Sequence, residues 1–187
     1  MTLVSIYSLI VFSALMGTQI WRPRLLLKYA RWAYFISIVF VFLIAAYQTI
    51  QQYRIWQASG LFIKYSDWGI FQTALRYGFT NFFLNSLMAL AVSVIGWLGL
   101  SFLNRRAGER FFEKSEPYLF STGLLLTGHP IWIAYAILVF SVALAYSVVS
   151  YLFTRRRDII FSFYWFWLPI AFGTIIISTW FKFPFSS

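Results

Sequence analysis

The basic residues of this chain are concentrated in short gaps between long apolar runs, and this arrangement restricts the fold more than any single motif does. A bilayer hydrocarbon core is about 30 Å thick, so a helix that crosses it needs roughly 20 apolar residues. Of the 187 residues, 61% are hydrophobic and only 11% are charged, which is too apolar for a water-soluble domain. We therefore expect an all-α polytopic membrane helix bundle that forms a single integral membrane domain over residues 1–187.

The apolar runs predict six transmembrane helices and one interfacial amphipathic helix. Between the second and third runs, apolar and aromatic residues recur at helical spacing from Tyr65 to Leu75, as in a helix that lies in the membrane interface. Later, the turn Gly128-His129-Pro130 divides a run that is too long for one crossing. The expected crossings are residues 2–21, 32–50, 81–103, 117–127, 131–153 and 159–180, and the interfacial helix is residues 65–77.

The distribution of positive charge predicts the orientation in a cell membrane. Three short loops, at residues 22–31, 104–116 and 155–158, hold eleven of the fifteen Lys and Arg residues. The positive-inside rule places all three loops in the cytoplasm and both termini outside. This orientation requires residues 117–127 to cross the membrane, because a re-entrant half-helix there would put the third basic loop outside.

The same charges indicate which partners the chain binds. Since the basic residues flank membrane crossings and do not form a long exposed segment, membrane lipids with anionic head groups are the expected ligands and nucleic acid is not. Other membrane subunits are a second expected class of partner. The residues expected at the lipid head groups are Arg22, Arg24, Arg105, Arg106, Arg155, Arg156 and Arg157.

Several classes of chemistry are excluded by residue type. The chain has no cysteine, which excludes disulfides, thiolate nucleophiles and iron–sulfur clusters, and its single histidine, His129, excludes bis-histidine haem ligation within one chain. Nucleotide-binding, zinc-peptidase and serine-hydrolase motifs are absent from the sequence. We expect no metal and no cofactor.

The only clustered carboxylates are Glu109, Glu113 and Glu116, which stand just before the fourth crossing. Residues three and four apart lie on one face of a helix, and two carboxylates on one face can act as an acid–base pair. Glu113 and Glu116 are therefore the candidate catalytic residues. In the competing interpretation the cluster is a solvated cytoplasmic turn, neutralised by the arginines beside it.

Three polar residues near the outer side are candidates for lining a polar cavity: Asn81, Asn85 and His129. The two asparagines are one helical turn apart, and in the alternative interpretation they bond neighbouring helices. His129 could carry a proton or ligate a group, or it could simply be a polar turn residue beside Pro130. Glu116 and His129 lie at opposite ends of one helix, about 18 Å apart, so they do not act on the same group.

From about residue 108 to residue 180 the chain resembles the C-terminal half of the type IV prepilin peptidase family. The resemblance is carried by SEPYLFSTGLLLTGHP, by the following basic loop and by Pro169 in the final span. It aligns Glu116 with the aspartate of the family's GxGD motif and implies a shared helical fold. The motif's glycines are absent, the acid is Glu, and the first span ends in IWRPRLL without the second catalytic aspartate. An aspartyl mechanism needs two carboxylates to activate one water, so the resemblance matches only one of the two positions.

Three functions remain open. The first is a non-catalytic accessory or scaffold protein that binds lipid and membrane partners, and the lack of catalytic motifs favours it over an enzyme. The second is a membrane-embedded, prepilin-peptidase-like hydrolase that uses Glu113 and Glu116. The third is a small-solute transporter or channel lined by Asn81 and Asn85, against which the absence of charge at the centre of the spans counts.

Overall fold

The computed structural model describes residues 3–59, 67–106, 108, 112–154 and 163–181, and this part of the chain is all-α. Long apolar helices predominate, as expected. The helices are α1 (Leu3–Trp21), α2 (Pro23–Ala58), α3 (Asp67–Gly78), α4 (Leu84–Arg106), α5 (Glu116–Thr127), α6 (Trp132–Thr154) and α7 (Trp167–Phe181), with a π-helical turn at Phe79–Phe83 between α3 and α4.

Within the described residues, four helical stretches are long and apolar enough to cross a membrane. They are Leu3–Trp21, Pro23–Ala58, the continuous helix Asp67–Arg106 and Trp132–Val149, and Trp167–Trp180 is a shorter apolar helix. Such a set of helices is typical of a membrane protein.

A single residue separates α1 from α2. Arg22 leaves the helical conformation with φ −142° and ψ 66°, and Pro23 then occupies the first turn of α2, where its missing N–H removes no hydrogen bond. The expectation of a basic loop over residues 22–31 is wrong. After Pro23 nothing in this segment breaks a helix, so Arg24, Lys28 and Arg31 lie on α2, which also runs eight residues past the predicted end of the second crossing.

The segment predicted as a separate interfacial helix instead begins a 40-residue helix, because α3 passes through the π-helical turn into α4 without a break. α3 packs along the C-terminal half of α2 and buries Ile70, Ala74 and Gly78. Gly78 allows the contact, since a Cβ added there would lie 2.2 Å from Thr49 Oγ1 of α2. The face that packs against α2 is therefore formed by Ile70, Ala74 and Gly78, whereas Trp68, Phe71 and Leu75, which carried the predicted apolar pattern, are exposed.

α5 lies at the centre of the molecule. It has 12 residues and is about 18 Å long, shorter than a bilayer core. All of it except Tyr118 is buried, among α1, α2, α4, α6 and α7. Gly96 brings α4 close, because a Cβ there would lie 2.6 Å from Leu124 Cδ1. Protein thus surrounds the helix, and its ends need not meet lipid.

α7 begins later than the predicted crossing. Residues 164–166 form turns and the helix starts at Trp167, which places Pro169 in the first helical turn, where proline is tolerated. The preceding residues 155–162, which include the third basic loop, lie outside the described residues.

Side-chain bonds show which helix ends lie together. Ser8 Oγ, near the start of α1, donates to the Leu126 carbonyl at the end of α5, while Gln19, near the end of α1, donates to the Tyr164 carbonyl. The Tyr164 hydroxyl donates to the Pro23 carbonyl at 3.3 Å. The start of α2, the start of α5 and the turn at residues 163–166 therefore form one end of the bundle, and the turn at His129 lies at the other.

Candidate functional site

Glu116 is the fully buried carboxylate of the described chain, at 0% exposure. Its Oε2 accepts one hydrogen bond from the Phe163 backbone N–H and one from the Trp167 indole Nε1–H, each 3.1 Å long. Its Oε1 faces the Glu113 backbone N–H at 3.4 Å. N–H groups of this kind stabilise a carboxylate away from water, and here they join the start of α5 to the turn before α7.

The local sequence explains why this carboxylate lies at a helix start. Ser115 precedes the helix without a side-chain capping bond, and Pro117 occupies the first turn of α5. A carboxylate in the first turn interacts favourably with the helix dipole. The side chain of Glu116 turns back toward the preceding segment and α7, so it supplies the negative charge at this helix end.

Aromatic rings enclose the carboxylate. The rings of Phe163 and Trp167 lie 5.2 Å apart, and Phe120 is 5.1 Å from Trp167. Phe112 lies 6.0 Å from Phe163 and 6.1 Å from Trp167. The carboxylate therefore lies among apolar rings and accepts hydrogen bonds from N–H groups. These bonds link the start of α5 to the start of α7.

Two polar residues that the sequence analysis did not single out hold this enclosure in place. Asn104, at the end of α4, donates from Nδ2 to the Phe112 carbonyl at 2.8 Å and accepts from the Phe112 N–H at 2.9 Å. Gln19 binds the Tyr164 carbonyl from α1. Both are buried polar side chains at the ends of apolar helices. In the sequence, only their position at the end of an apolar run could have indicated this role.

The two candidate catalytic residues are not equivalent. Glu113 is exposed and precedes the helix, whereas Glu116 is its first residue. The expectation that they share a helical face is therefore wrong, because helical spacing does not apply before α5 begins. The alternative of a solvated cluster is also wrong for Glu116, since this side chain is buried. Glu109, the third member of the cluster, lies outside the described residues.

At this end of the bundle, the hydroxyl of Tyr164 has a raised pKa. Burial raises the pKa of Tyr164 to about 12, and the negative charge of Glu113 acts in the same direction. The hydroxyl therefore stays protonated and donates to the Pro23 carbonyl. This bond ties the turn before α7 to the break between α1 and α2.

Asn81 and Asn85 are exposed and bind their own helix. Asn81 Nδ2 donates to the Tyr77 carbonyl and Asn85 Nδ2 donates to the Asn81 carbonyl, both at 2.9 Å. Neither of these bonds crosses to another helix. The two amides instead cap carbonyls within and beside the π-helical turn, where the wider backbone ring disturbs the regular ladder.

His129 is exposed in the turn after α5, and its Nδ1 accepts from the Trp132 indole at 3.3 Å. This agrees with a polar turn residue, and α5 separates it from Glu116 as the sequence predicts. Within the described residues, no three histidine, cysteine or carboxylate side chains come together.

The predicted lipid-binding arginines divide into two groups. Arg22, Arg24, Arg105 and Arg106 are exposed; Arg22 and Arg24 lie next to Pro23, and Arg105 and Arg106 end α4 one residue after Asn104. All four are therefore at the same end of the bundle as Glu116. Arg155, Arg156 and Arg157 lie outside the described residues.

Comparison of the chain with protein families, with curated proteins and with solved structures finds no match.

Proposed function

We propose that this chain is a multi-pass membrane protein that works as a non-catalytic scaffold, holding a protein partner outside the membrane and anionic lipid at the cytoplasmic side. The observation that carries the proposal is a helical arm, formed by residues 46–58 of α2 and by α3, that extends beyond the N-terminal start of α1. An arm of this kind offers a binding surface away from the bilayer.

The level of the arm follows from the contact between α1 and α2. The rings of Tyr7 and Phe40 stack at 5.5 Å, and the two helices are antiparallel, so Leu3 lies level with about residue 44 of α2. The rest of α2 extends about 20 Å farther. Head-group layers add only about 5–8 Å on each side of the hydrocarbon, so most of the arm lies beyond them.

The arm is held together by packing between its two helices. Tyr53 meets Phe71 edge to face at 5.8 Å, and Trp56 meets Tyr77 in the same way at 5.3 Å. These pairs, with Gly78 against Thr49, fix the two helices to each other. The arm is therefore a preformed surface.

The outer surface of the arm combines apolar and charged side chains. Trp68 is 66% exposed, and Ile55 and Leu75 are also exposed. Arg54 and Arg76 are exposed on the same two helices. Aromatic residues and arginine are enriched in protein interfaces, and exposed apolar patches in water mark interaction sites. Because the patch lies beyond the head groups, we assign it to a protein partner.

The proposed topology has six crossings, with α5 as the fourth and with both termini outside. It is supported by the exposed arginines at the Glu116 end, which the positive-inside rule places in the cytoplasm. The arm lies at the opposite end, beyond the start of α1, and is therefore extracytoplasmic. A non-catalytic role is supported by the closed environment of Glu116, whose Oε2 is occupied by two N–H donors.

The test compares two sites with equal exposure. Trp68 in the arm is 66% exposed and Ile95 on α4 is 67% exposed. The full chain is produced in its own host, extracted in nanodiscs, and its complexes are sized on native gels. We expect the wild type and Ile95→Ala to share one large complex, which Trp68→Ala combined with Leu75→Ala loses. Equal sizes for all three would refute the scaffold proposal.

The hydrolase alternative has its own outcome. Purified chain that cleaves membrane-protein precursors, with cleavage abolished by Glu116→Gln in a protein that keeps its thermal stability, would replace the scaffold with an enzyme. Solute flux through liposomes that contain the chain would favour the transporter alternative instead.

A further inference from the structure

A cleft of about 490 Å³ opens at the basic end of the bundle, between the first turns of α2 and the segment that leads into α5. Three of its lining residues are cationic, namely Lys28, Arg31 and Lys114. Among the described lining residues one, Glu113, is acidic, so these side chains carry three positive charges and one negative charge. The cleft therefore attracts anions.

The cations come from two separate elements that the fold brings together. Lys28 and Arg31 are three residues apart on α2 and thus share a face, while Lys114 stands two residues before α5. Lys28 Nζ lies 5.3 Å from the centre of the Tyr29 ring, and the Arg31 guanidinium lies 5.7 Å from the Phe35 ring. These rings orient the two long side chains.

Apolar side chains lie directly beside the charges. Leu27 and Tyr118 line the same cleft. The Tyr118 ring is fixed between Trp97, at 5.6 Å, and Tyr34, at 6.3 Å. A ligand that contacts both the basic and the apolar side chains of the cleft has a negatively charged head group and an apolar part.

The cleft also lies at the depth expected for such a ligand. Trp32, one residue after Arg31, is exposed, and tryptophan is enriched at the boundary between hydrocarbon and head groups. The exposed Arg24 and Arg105 mark the same end of the bundle. Lys and Arg side chains at this level reach lipid phosphates while their stems stay on apolar surface.

We propose that this cleft binds the phosphate of an anionic phospholipid, with Lys28, Arg31 and Lys114 around the head group and with Leu27 and Tyr118 against its glycerol and acyl part. The site rests on the proposed function only in that the basic end must lie at the membrane surface. It does not depend on the partner of the arm.

The test measures phosphatidylglycerol binding to delipidated full-length protein by native mass spectrometry. Lys28→Gln combined with Arg31→Gln is expected to weaken binding by roughly 30-fold, from the usual contribution of basic residues near a membrane surface. The matched control, Arg105→Gln combined with Arg106→Gln, removes the same charge at the same end outside the cleft. Because these two arginines are expected at the head groups of the surrounding lipids, the variant should lose part of the diffuse attraction and weaken binding at the cleft much less than the first variant does.

A third variant shows that the effect is not a loss of folding. Glu113→Gln removes the acid from the cleft and is expected to strengthen binding about fivefold. Inorganic phosphate and the isolated glycerophosphoglycerol head group serve as competitors. Equal losses in the two arginine-containing double variants would overturn the site in favour of diffuse attraction, and competition by inorganic phosphate as strong as that by lipid would overturn the lipid assignment.

These outcomes are separate from those of the scaffold test. Trp68→Ala with Leu75→Ala leaves the cleft intact and is expected to bind phosphatidylglycerol as the wild type does. Loss of the partner complex with retained lipid binding, or the reverse, shows which of the two proposals has failed.

Discussion

The Trp167 indole donates a 3.1 Å hydrogen bond to the Glu116 carboxylate and so joins the first turn of α7 to the first turn of α5. Since Glu116 is fully buried, its removal leaves the indole and the Phe163 N–H without this acceptor in an apolar enclosure. Glu116→Ala is expected to cost roughly 3 kcal/mol of stability. Glu116→Gln should cost less, because an amide oxygen still accepts.

Thermal unfolding in detergent measures this difference. The matched control is Glu113→Gln, at the exposed carboxylate three residues earlier, which should change stability by less than about 0.5 kcal/mol. Similar losses in Glu113→Gln and Glu116→Ala would contradict the structural role of the buried carboxylate.

The close packing of α3 against α2 depends on Gly78. A Cβ at this position would lie 2.2 Å from Thr49 Oγ1 and 2.8 Å from Thr49 Cβ, so Gly78→Ala should separate α3 from α2. Gly99→Ala is the control, since a Cβ there meets nothing within 4 Å and alanine favours a helix. Adding Thr49→Gly to Gly78→Ala should restore part of the packing.

Crosslinking α2 to α3 with a short bis-maleimide measures this packing, because the chain has no cysteine of its own. Cysteines replace Tyr53 and Phe71, whose rings are 5.8 Å apart. We expect the crosslink to form in the Gly99→Ala background and to weaken in the Gly78→Ala background. Equal crosslinking in both would show that the close approach at Gly78 is not required.

Ser121 offers a stabilising change. Its hydroxyl is buried in α5 and, among the described residues, finds no hydrogen-bond partner. Ser121→Ala should therefore raise stability by about 1 kcal/mol, because an unsatisfied polar group is removed. Thr122→Val is a useful contrast, since the Thr122 hydroxyl donates to the Tyr118 carbonyl at 2.8 Å. A lower melting temperature for Ser121→Ala would show that this hydroxyl has a partner.

The proposed topology predicts the side from which three exposed positions are labelled. Single cysteines at Gln72, Lys114 and His129 are treated with a membrane-impermeant maleimide. With six crossings, Gln72 and His129 react from outside and Lys114 does not. Reaction of Lys114 and His129 from the same side would show that α5 does not cross.

The sequence predicted the fold class well and some helix boundaries poorly. Composition and apolar run length indicate membrane helices, and Gly128-His129-Pro130 ends α5 where expected. The segment at residues 22–31 was predicted as a loop because it is basic. Charge alone does not end a helix, however, and only Pro23 interrupts the chain there. In α3 the predicted apolar pattern runs through Trp68, Phe71 and Leu75, which are exposed, while the helix packs on α2 through Ile70, Ala74 and Gly78. Helical spacing alone does not reveal which face of a helix meets protein.

The candidate site was predicted only in part. Position in the chain singled out Glu116, but its burial depends on Phe163 and Trp167, which are 47 and 51 residues away. The bond from Asn104 to Phe112 spans a shorter loop and was missed because an asparagine at a helix end is a common feature. Contacts across long sequence separations are set by the packing of α5 within the bundle, which no local pattern encodes.

The π-helical turn at Phe79–Phe83 determines how far α3 is rotated about the helix axis relative to α4. A π turn holds about one more residue than an α turn, and each residue of an α-helix advances the chain by about 100°. Deleting one residue there would rotate Ile70, Ala74 and Gly78 away from α2 while leaving α4 in place. These five residues therefore determine the direction in which Trp68 points from the arm.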